Sequence, residues 1–185
     1  MPTHDELKKA RSFAFKLLSY KDRTRQEIAG RLLQKGFSSS IIQKTLDGLT
    51  SLHYLDDKRF ALDWGRSRIE TKKVAKRKLW QELSAKGLEP EIIGQTLDIL
   101  YSEIDETMLA KRCAQKKLSL LKGLGLEIQK RRLAQFLYRK GYPSDIIFQT
   151  VNELIPRSGD EAPSPLGRRH PVQDGGKSFT SCDPD

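Results

Sequence analysis

Two adjacent carboxylates, Asp56 and Asp57, precede the run KRFALDW and are the closest this chain comes to an acid pair. Side by side before an amphipathic stretch, they suit the N-cap and first turn of a helix, where a carboxylate meets unpaired N–H groups and the positive end of the helix dipole. His4, His53 and His170 have no metal-ligand spacing, and Cys113 and Cys182 form no CxxC or Cys/His pairing. The stretch LKGLGLE lacks the Lys-Ser/Thr of a phosphate loop and any preceding strand, so it reads as a loop between helices. With no nucleophile–base pair, metal cluster or phosphate cradle, the expectation is a protein that is not an enzyme and uses no cofactor.

Cations remain. In TKKVAKRK, Lys72 with Lys76 and Lys73 with Arg77 stand at i, i+4, while Ala75, Leu79 and Leu83 take the apolar side. QKRRLAQFLYRK places Lys130, Arg131 and Arg132 before a Leu133/Leu137 face, and Arg23, Arg25 and Arg31 are weaker counterparts further upstream. One such run is usually a solvated helix face. Recurrence changes its meaning, because stacked helices would align several positive flanks into a strip suited to phosphates or an acidic protein groove. These ten residues are the candidate contacts to a nucleic acid or a filament.

The chain has 185 residues, 37% hydrophobic and 31% charged, with 34 Lys and Arg against 24 Asp and Glu. No apolar span approaches membrane length, and the charged N-terminus does not read as a signal peptide; the expectation is a cytoplasmic monomer. From Pro156 onward the text holds five of the eight prolines, four basic and five acidic residues, and little that is large and apolar. That segment is expected to be disordered. The first 155 residues therefore hold 30 basic against 19 acidic residues, so the charge belongs to the folded part.

A repeat positions those flanks. KGFSSSIIQKTLDGL, KGLEPEIIGQTLDIL and KGYPSDIIFQTVNEL begin at Lys35, Lys86 and Lys140. Counting from Gly36, Gly87 and Gly141, apolar residues stand eight and four before (Ile28/Leu32, Leu79/Leu83, Leu133/Leu137) and six, ten and thirteen after, with threonine at nine. These are two helical stripes joined at a glycine suited to the left-handed C′ position, and Ser38, Pro90 and Pro143 mark the second start. TRQE at Thr24 to Glu27 is a capping box. DELKKARSFAFKLLSYK, DDKRFALDWGRSRIET and DETMLAKRCAQKKLSLL supply a helix before each pair. The fold expected is all-α: three tandem three-helix, helix-turn-helix-like repeats over 1–54, 55–103 and 104–155 in an elongated, curved array, with 156–185 as the tail. Phe60 and Trp64 at i, i+4 and Trp80 beside Leu79/Leu83 are expected to pack in the core rather than stack on bases.

YLDDKRFALDW, RKLWQELSAKG, RRLAQFLYRKG and the three tandem units resemble the RecX regulatory proteins over residues 10 to 155. The resemblance implies a regulator of RecA that lodges in the groove of the RecA filament on single-stranded DNA, bridges protomers and hinders strand exchange and ATP turnover, within DNA repair, homologous recombination and the SOS response. The residues also allow a sequence-independent binder of single- or double-stranded DNA acting without the recombinase. Salt-dependent binding to naked strand and to assembled filament separates the two, since a regulator prefers the filament.

Ordering the residues after Pro156 would cost about 1 to 2 kcal/mol each for the backbone alone, with little apolar burial in return. A chain ended at Ile155 is therefore expected to keep its melting temperature and its inhibition of the recombinase. Circular dichroism melts and ATP-turnover assays check this, and a Tm many degrees lower would move the boundary of the fold.

Overall fold

Nine helices follow one another in the described residues of the computed structural model, 4–156, with no strand among them. The first unit contains α1 (His4–Leu18), α2 (Arg25–Gln34) and α3 (Ser39–Ser51); the second α4 (Asp57–Lys72), α5 (Lys76–Ala85) and α6 (Pro90–Tyr101). The third contains α7 (Glu106–Ser119), α8 (Leu126–Arg139) and α9 (Ser144–Leu154). The fold is all-α with three tandem three-helix units, as the repeat predicts. The expectation for the tail falls on residues outside the described range.

Local chemistry sets the helix starts. Thr24 caps α2 through the predicted box, its hydroxyl accepting from the Glu27 N–H at 3.1 Å while the Glu27 carboxylate receives the Thr24 N–H. Asp56 caps α4 by accepting from the Arg59 N–H, and Asp105 caps α7 by accepting from Thr107 and Met108. The stripe that precedes each glycine is fully buried: Ile28 and Leu32, Leu79 and Leu83, Leu133 and Leu137 are all 0% exposed. Each such side chain contributes roughly 1.5 to 3 kcal/mol by leaving water. The threonine nine residues after the glycine is buried in every unit, and the hydroxyls of Thr45 and Thr150 have no hydrogen-bond partner.

The units are joined by a contact that repeats. Thr24, at the head of α2, donates its hydroxyl to the Lys86 carbonyl at 2.7 Å, and Ala75, at the head of α5, donates its N–H to the Lys140 carbonyl at 3.0 Å. One residue on, the Arg25 N–H reaches the Asp57 carboxylate at 2.9 Å and the Lys76 N–H reaches the Glu106 carboxylate at 2.6 Å. The starts of α2 and α5 are thus satisfied by the lysine-glycine turn and the first-turn acid of the following unit. Asp57 stands in the first turn of α4, as the sequence suggests, and its carboxylate also meets the start of the preceding unit's middle helix.

Glycine makes this approach possible. Gly36, Gly87 and Gly141 all have φ between 75° and 90°. A Cβ on Gly87 would meet the Gln26 side chain at 2.5 Å, and one on Gly141 would meet the Lys78 backbone nitrogen at 2.7 Å, whereas one on Gly36 would meet nothing within 4 Å. The two joints differ in character. The cores of the second and third units form one continuous cluster, to which Val74, Ala75 and Tyr142 belong, while the first unit has its own core. Its joint is mostly polar, with Lys86 paired to Glu27 at 2.8 Å.

Alanine at the three glycines should therefore separate backbone strain from lost docking. Gly36→Ala is expected to destabilise by about 1 kcal/mol, the cost of a side chain at positive φ. Gly141→Ala should cost roughly 1 to 3 kcal/mol more, because a backbone must move, with Gly87→Ala between them. Urea denaturation of the three variants measures this, and equal losses would mean that the turns are not docking points.

Candidate functional site

The ten candidate cations do not share one environment. Arg23 is half-buried, its Nε donating to the Leu17 carbonyl at 3.4 Å, and Arg31 is exposed and bonds to Gln34 in its own helix. Lys73 ends α4 in the left-handed region at φ 51°, its ammonium folded back on the Glu70 carbonyl. The carbonyls of Lys72 and Lys73 receive the Lys140 ammonium and the Tyr142 hydroxyl. This part of the second flank belongs to the joint with the third unit through its backbone, while the Lys72 side chain stays exposed.

Two of the ten are clamped. Arg25 meets Asp47 at 2.6 Å, and Lys76 meets Asp98 at 2.9 Å. Both pairs join the residue eleven before the glycine to the residue eleven after it, so each ties the middle helix of a unit to its third helix. In the third unit those positions are Lys130 and Asn152. No carboxylate faces Lys130 across the helices, and its ammonium reaches only Glu127 in its own helix, at 3.7 Å. Arg77, Arg131 and Arg132 are exposed and have no carboxylate within 4.0 Å among the described residues.

The third unit carries an open groove of about 730 Å³. It runs along α8 and α9, with Ala134, Ile147 and Val151 among its lining and Lys130, Arg131 and Arg139 at its edge. Tyr138 and Phe148, 60% and 67% exposed, also line it. Where the groove has Ala134, seven residues before the glycine, the second unit has Trp80, which is 40% exposed rather than in the core. Arg77 of the second unit lies over the Tyr138 ring at 5.4 Å. Arg77 thus sits beside Tyr138 near the end of α8, while Lys130 and Arg131 lie about two turns earlier on the same helix. Arg132 does not line the groove, and the first unit's Arg23, Arg25 and Arg31 are not part of it.

Several charged residues that matter escaped the reading of the sequence. Arg68 and Glu82 form a bidentate pair with both distances at 2.5 Å, tying α4 to α5, and Glu82 holds the guanidinium above its ordinary pKa. The lysine before each repeat glycine sits over an aromatic ring: Lys35 over Phe13, Lys86 over Phe60 and Trp64, Lys140 over Phe136. Its recurrence in all three repeats was the available signal. Burial pushes the Lys140 ammonium below the usual lysine range, consistent with a joint residue rather than a free surface charge. Burial would raise Glu27, but the hydrogen bond and charge of Lys86, with the Thr24 N–H, hold it below the ordinary carboxylate range. Phe60 is buried and stacks on Trp64 with centroids 5.9 Å apart, so these two rings do pack against the core.

Among the described residues no group of three His, Cys, Asp or Glu could hold a metal, and no helix is long and apolar enough to cross a membrane. The surface offers charge and shape. Family models for the first, second and third three-helix domains of RecX match residues 10–49, 56–97 and 104–151. The regulatory protein RecX of Chlorobium limicola is 35% identical over 146 residues, 79% of this chain and 89% of that one. That of Amycolatopsis mediterranei is 31% identical over 162 residues, 88% and 92% of the two chains. The crystal structure of RecX from Lactobacillus salivarius superposes with a TM-score of 0.70 at 25% identity, covering 82% of this chain and 98% of that one.

The clamps predict a specific energetic contrast. A double-mutant cycle on Lys76 and Asp98 is expected to give a coupling of about 0.2 to 1 kcal/mol, as for other exposed pairs. The equivalent cycle on Lys130 and Asn152 should give none. Denaturant titration of the single and double alanine variants measures both, and equal couplings would remove the distinction between the units.

Proposed function

The chain belongs to the RecX family of regulatory proteins, and on that premise we propose that it regulates the RecA recombinase by lodging in the groove of the RecA filament on single-stranded DNA. Occupying that groove hinders strand exchange and ATP turnover without any chemistry of its own. It acts as a cytoplasmic monomer and meets single-stranded DNA directly or through the filament. The observation that carries this reading is that Arg77, over the Tyr138 ring, and Arg131, on α8, are both exposed with no carboxylate within 4.0 Å among the described residues.

Lys72, Lys73 and Arg132 are auxiliary contacts in this reading, since they stand beside Arg77 and Arg131 in sequence and carry unclamped charge. Arg25 and Lys76 contribute chiefly by holding their units together. An extended object with repeating negative charge suits a chain whose three units present their faces in succession.

Replacing Arg77 and Arg131 together by alanine is expected to raise the concentration needed for half-inhibition of recombinase ATP turnover about tenfold, close to 1.4 kcal/mol. Arg25→Ala should leave that concentration within about twofold once its fold is verified by circular dichroism. The salt slope for naked single-stranded DNA should barely change. A double variant that inhibits as well as the parent, while its slope for naked strand falls by about 1.4 from two lost phosphate contacts, would instead support a DNA binder independent of the recombinase.

A further inference from the structure

Each unit has a crevice between its second and third helices, and in the first two units an ion pair spans it. In the first unit Arg25 and Asp47 bridge it, and in the second Lys76 and Asp98 bridge it while Trp80 occupies its wall. In the third unit Asn152 replaces the acid of the pair, Ala134 stands where the second unit has Trp80 and the first has Ala29, and Phe148 stands where the second unit has Gly94. What remains is the groove of about 730 Å³ with an aliphatic floor and two exposed aromatic walls.

We infer that the groove between α8 and α9 is a docking site for an amphipathic helix of a partner protein, one that carries an apolar stripe flanked by carboxylates. The inference rests only on the part of the proposed function that has this chain act by binding, and it adds the chemistry of what is bound. Shape supports it first. The lining along α8 runs from Glu127 to Arg139, which at 1.5 Å per residue is roughly 18 Å, the length of about three helical turns. Residues at i, i+3 and i+4 of a docked helix would lay an apolar stripe on Ala134, Ile147 and Val151, between Tyr138 and Phe148.

Charge supports it second. Lys130, Arg131 and Arg139 line the groove and Glu127 is the one acid that does so. The Lys130 side chain is 17% exposed and keeps its contact to Glu127 at 3.7 Å, so the exposed Arg131 and Arg139 are the cations open to an incoming carboxylate. A nucleic-acid strand fits less well. The floor is aliphatic rather than aromatic, and the Glu127 carboxylate would repel phosphates at one end. An exposed apolar surface of this kind, rimmed by polar groups, is the usual mark of a protein-binding face.

The test uses the full chain and a synthetic 15-residue helical peptide with leucine at i, i+4, i+7 and i+11 and glutamates on both flanks, alongside a version with lysine for every glutamate. Calorimetry should give saturable binding with Kd on the order of micromolar, a normal strength for one short helix. Amide shifts in a nitrogen–proton NMR titration should fall on α8 and α9, and the lysine version should bind at least tenfold more weakly. Ala134→Trp, which copies the second unit, should weaken binding at least tenfold. Asn152→Asp should weaken it about threefold by re-forming the clamp on Lys130. Should Ala134→Trp fail to fold, Phe148→Glu at an exposed position carries the same expectation of at least a tenfold loss. No binding of the acidic peptide, or binding indifferent to these substitutions, would overturn the proposal. So would amide shifts on α8 and α9 produced by an oligothymidylate and lost in Ala134→Trp. Inhibition of recombinase ATP turnover by the parent chain is measured in the same preparations. Its absence would overturn the proposed function and leave the groove standing, whereas absent peptide binding with intact inhibition would remove the groove alone.

Discussion

Everything in this molecule depends on a missing Cβ at the end of each middle helix. The glycine there ends the helix at positive φ, and in the second and third units it also lets the preceding unit's middle helix place its first turn against the backbone. Two helix ends are completed by one contact, because the N–H groups or hydroxyl of the incoming helix meet the carbonyl before the glycine. A repeat protein needs such a joint, since a unit of three short helices buries too little apolar surface to stand alone.

The same joint explains how the array stops. At its start, the Gly36 turn receives nothing. At its other end, α8 is 14 residues long where α2 and α5 are 10, and the Gln129 N–H, equivalent to that of Ala75, is already bonded to the Gly125 carbonyl at 3.0 Å. The two internal joints are not equal either. Between the second and third units the apolar core is continuous, while the first unit meets the second through a capping threonine, a glutamate–lysine pair and an aspartate. Burial and charge-assisted hydrogen bonds respond differently to salt and pH, so the first unit is the one whose attachment is sensitive to both.

Much of the local structure was legible because it is written in short range. The buried stripes, the threonine capping box, the glycine turns and the Asp56 cap each involve residues within a few positions of one another, where helical periodicity and capping preferences apply. The joints were not legible in that way. Asp57 reads as a first-turn acid whether or not it also receives the Arg25 N–H from 32 residues earlier. Trp80 looked like core from its neighbours, and only the packing of α5 shows it half exposed. The clamps are an intermediate case: Arg25 with Asp47 and Lys76 with Asp98 share one spacing about the glycine, so aligning the repeats by charge as well as by hydrophobicity would have paired them.

Those clamps change what the net charge means. The basic excess suggests a strip running through all three units, yet in the first two the cation eleven before the glycine is neutralised by its own third helix. Lys86 and Lys140 are held at the joints by Glu27 and by the Lys72 carbonyl. Among the candidate contacts, Arg77, Arg131 and Arg132 are exposed and have no such tie. Repeats that began from one pattern have thus divided the work. In two units an ion pair spans the second and third helices, and in the third the position of the aspartate holds asparagine beside an apolar groove. Specific binding on a repeat scaffold requires such an asymmetry, because three identical faces would bind a partner in three registers at once.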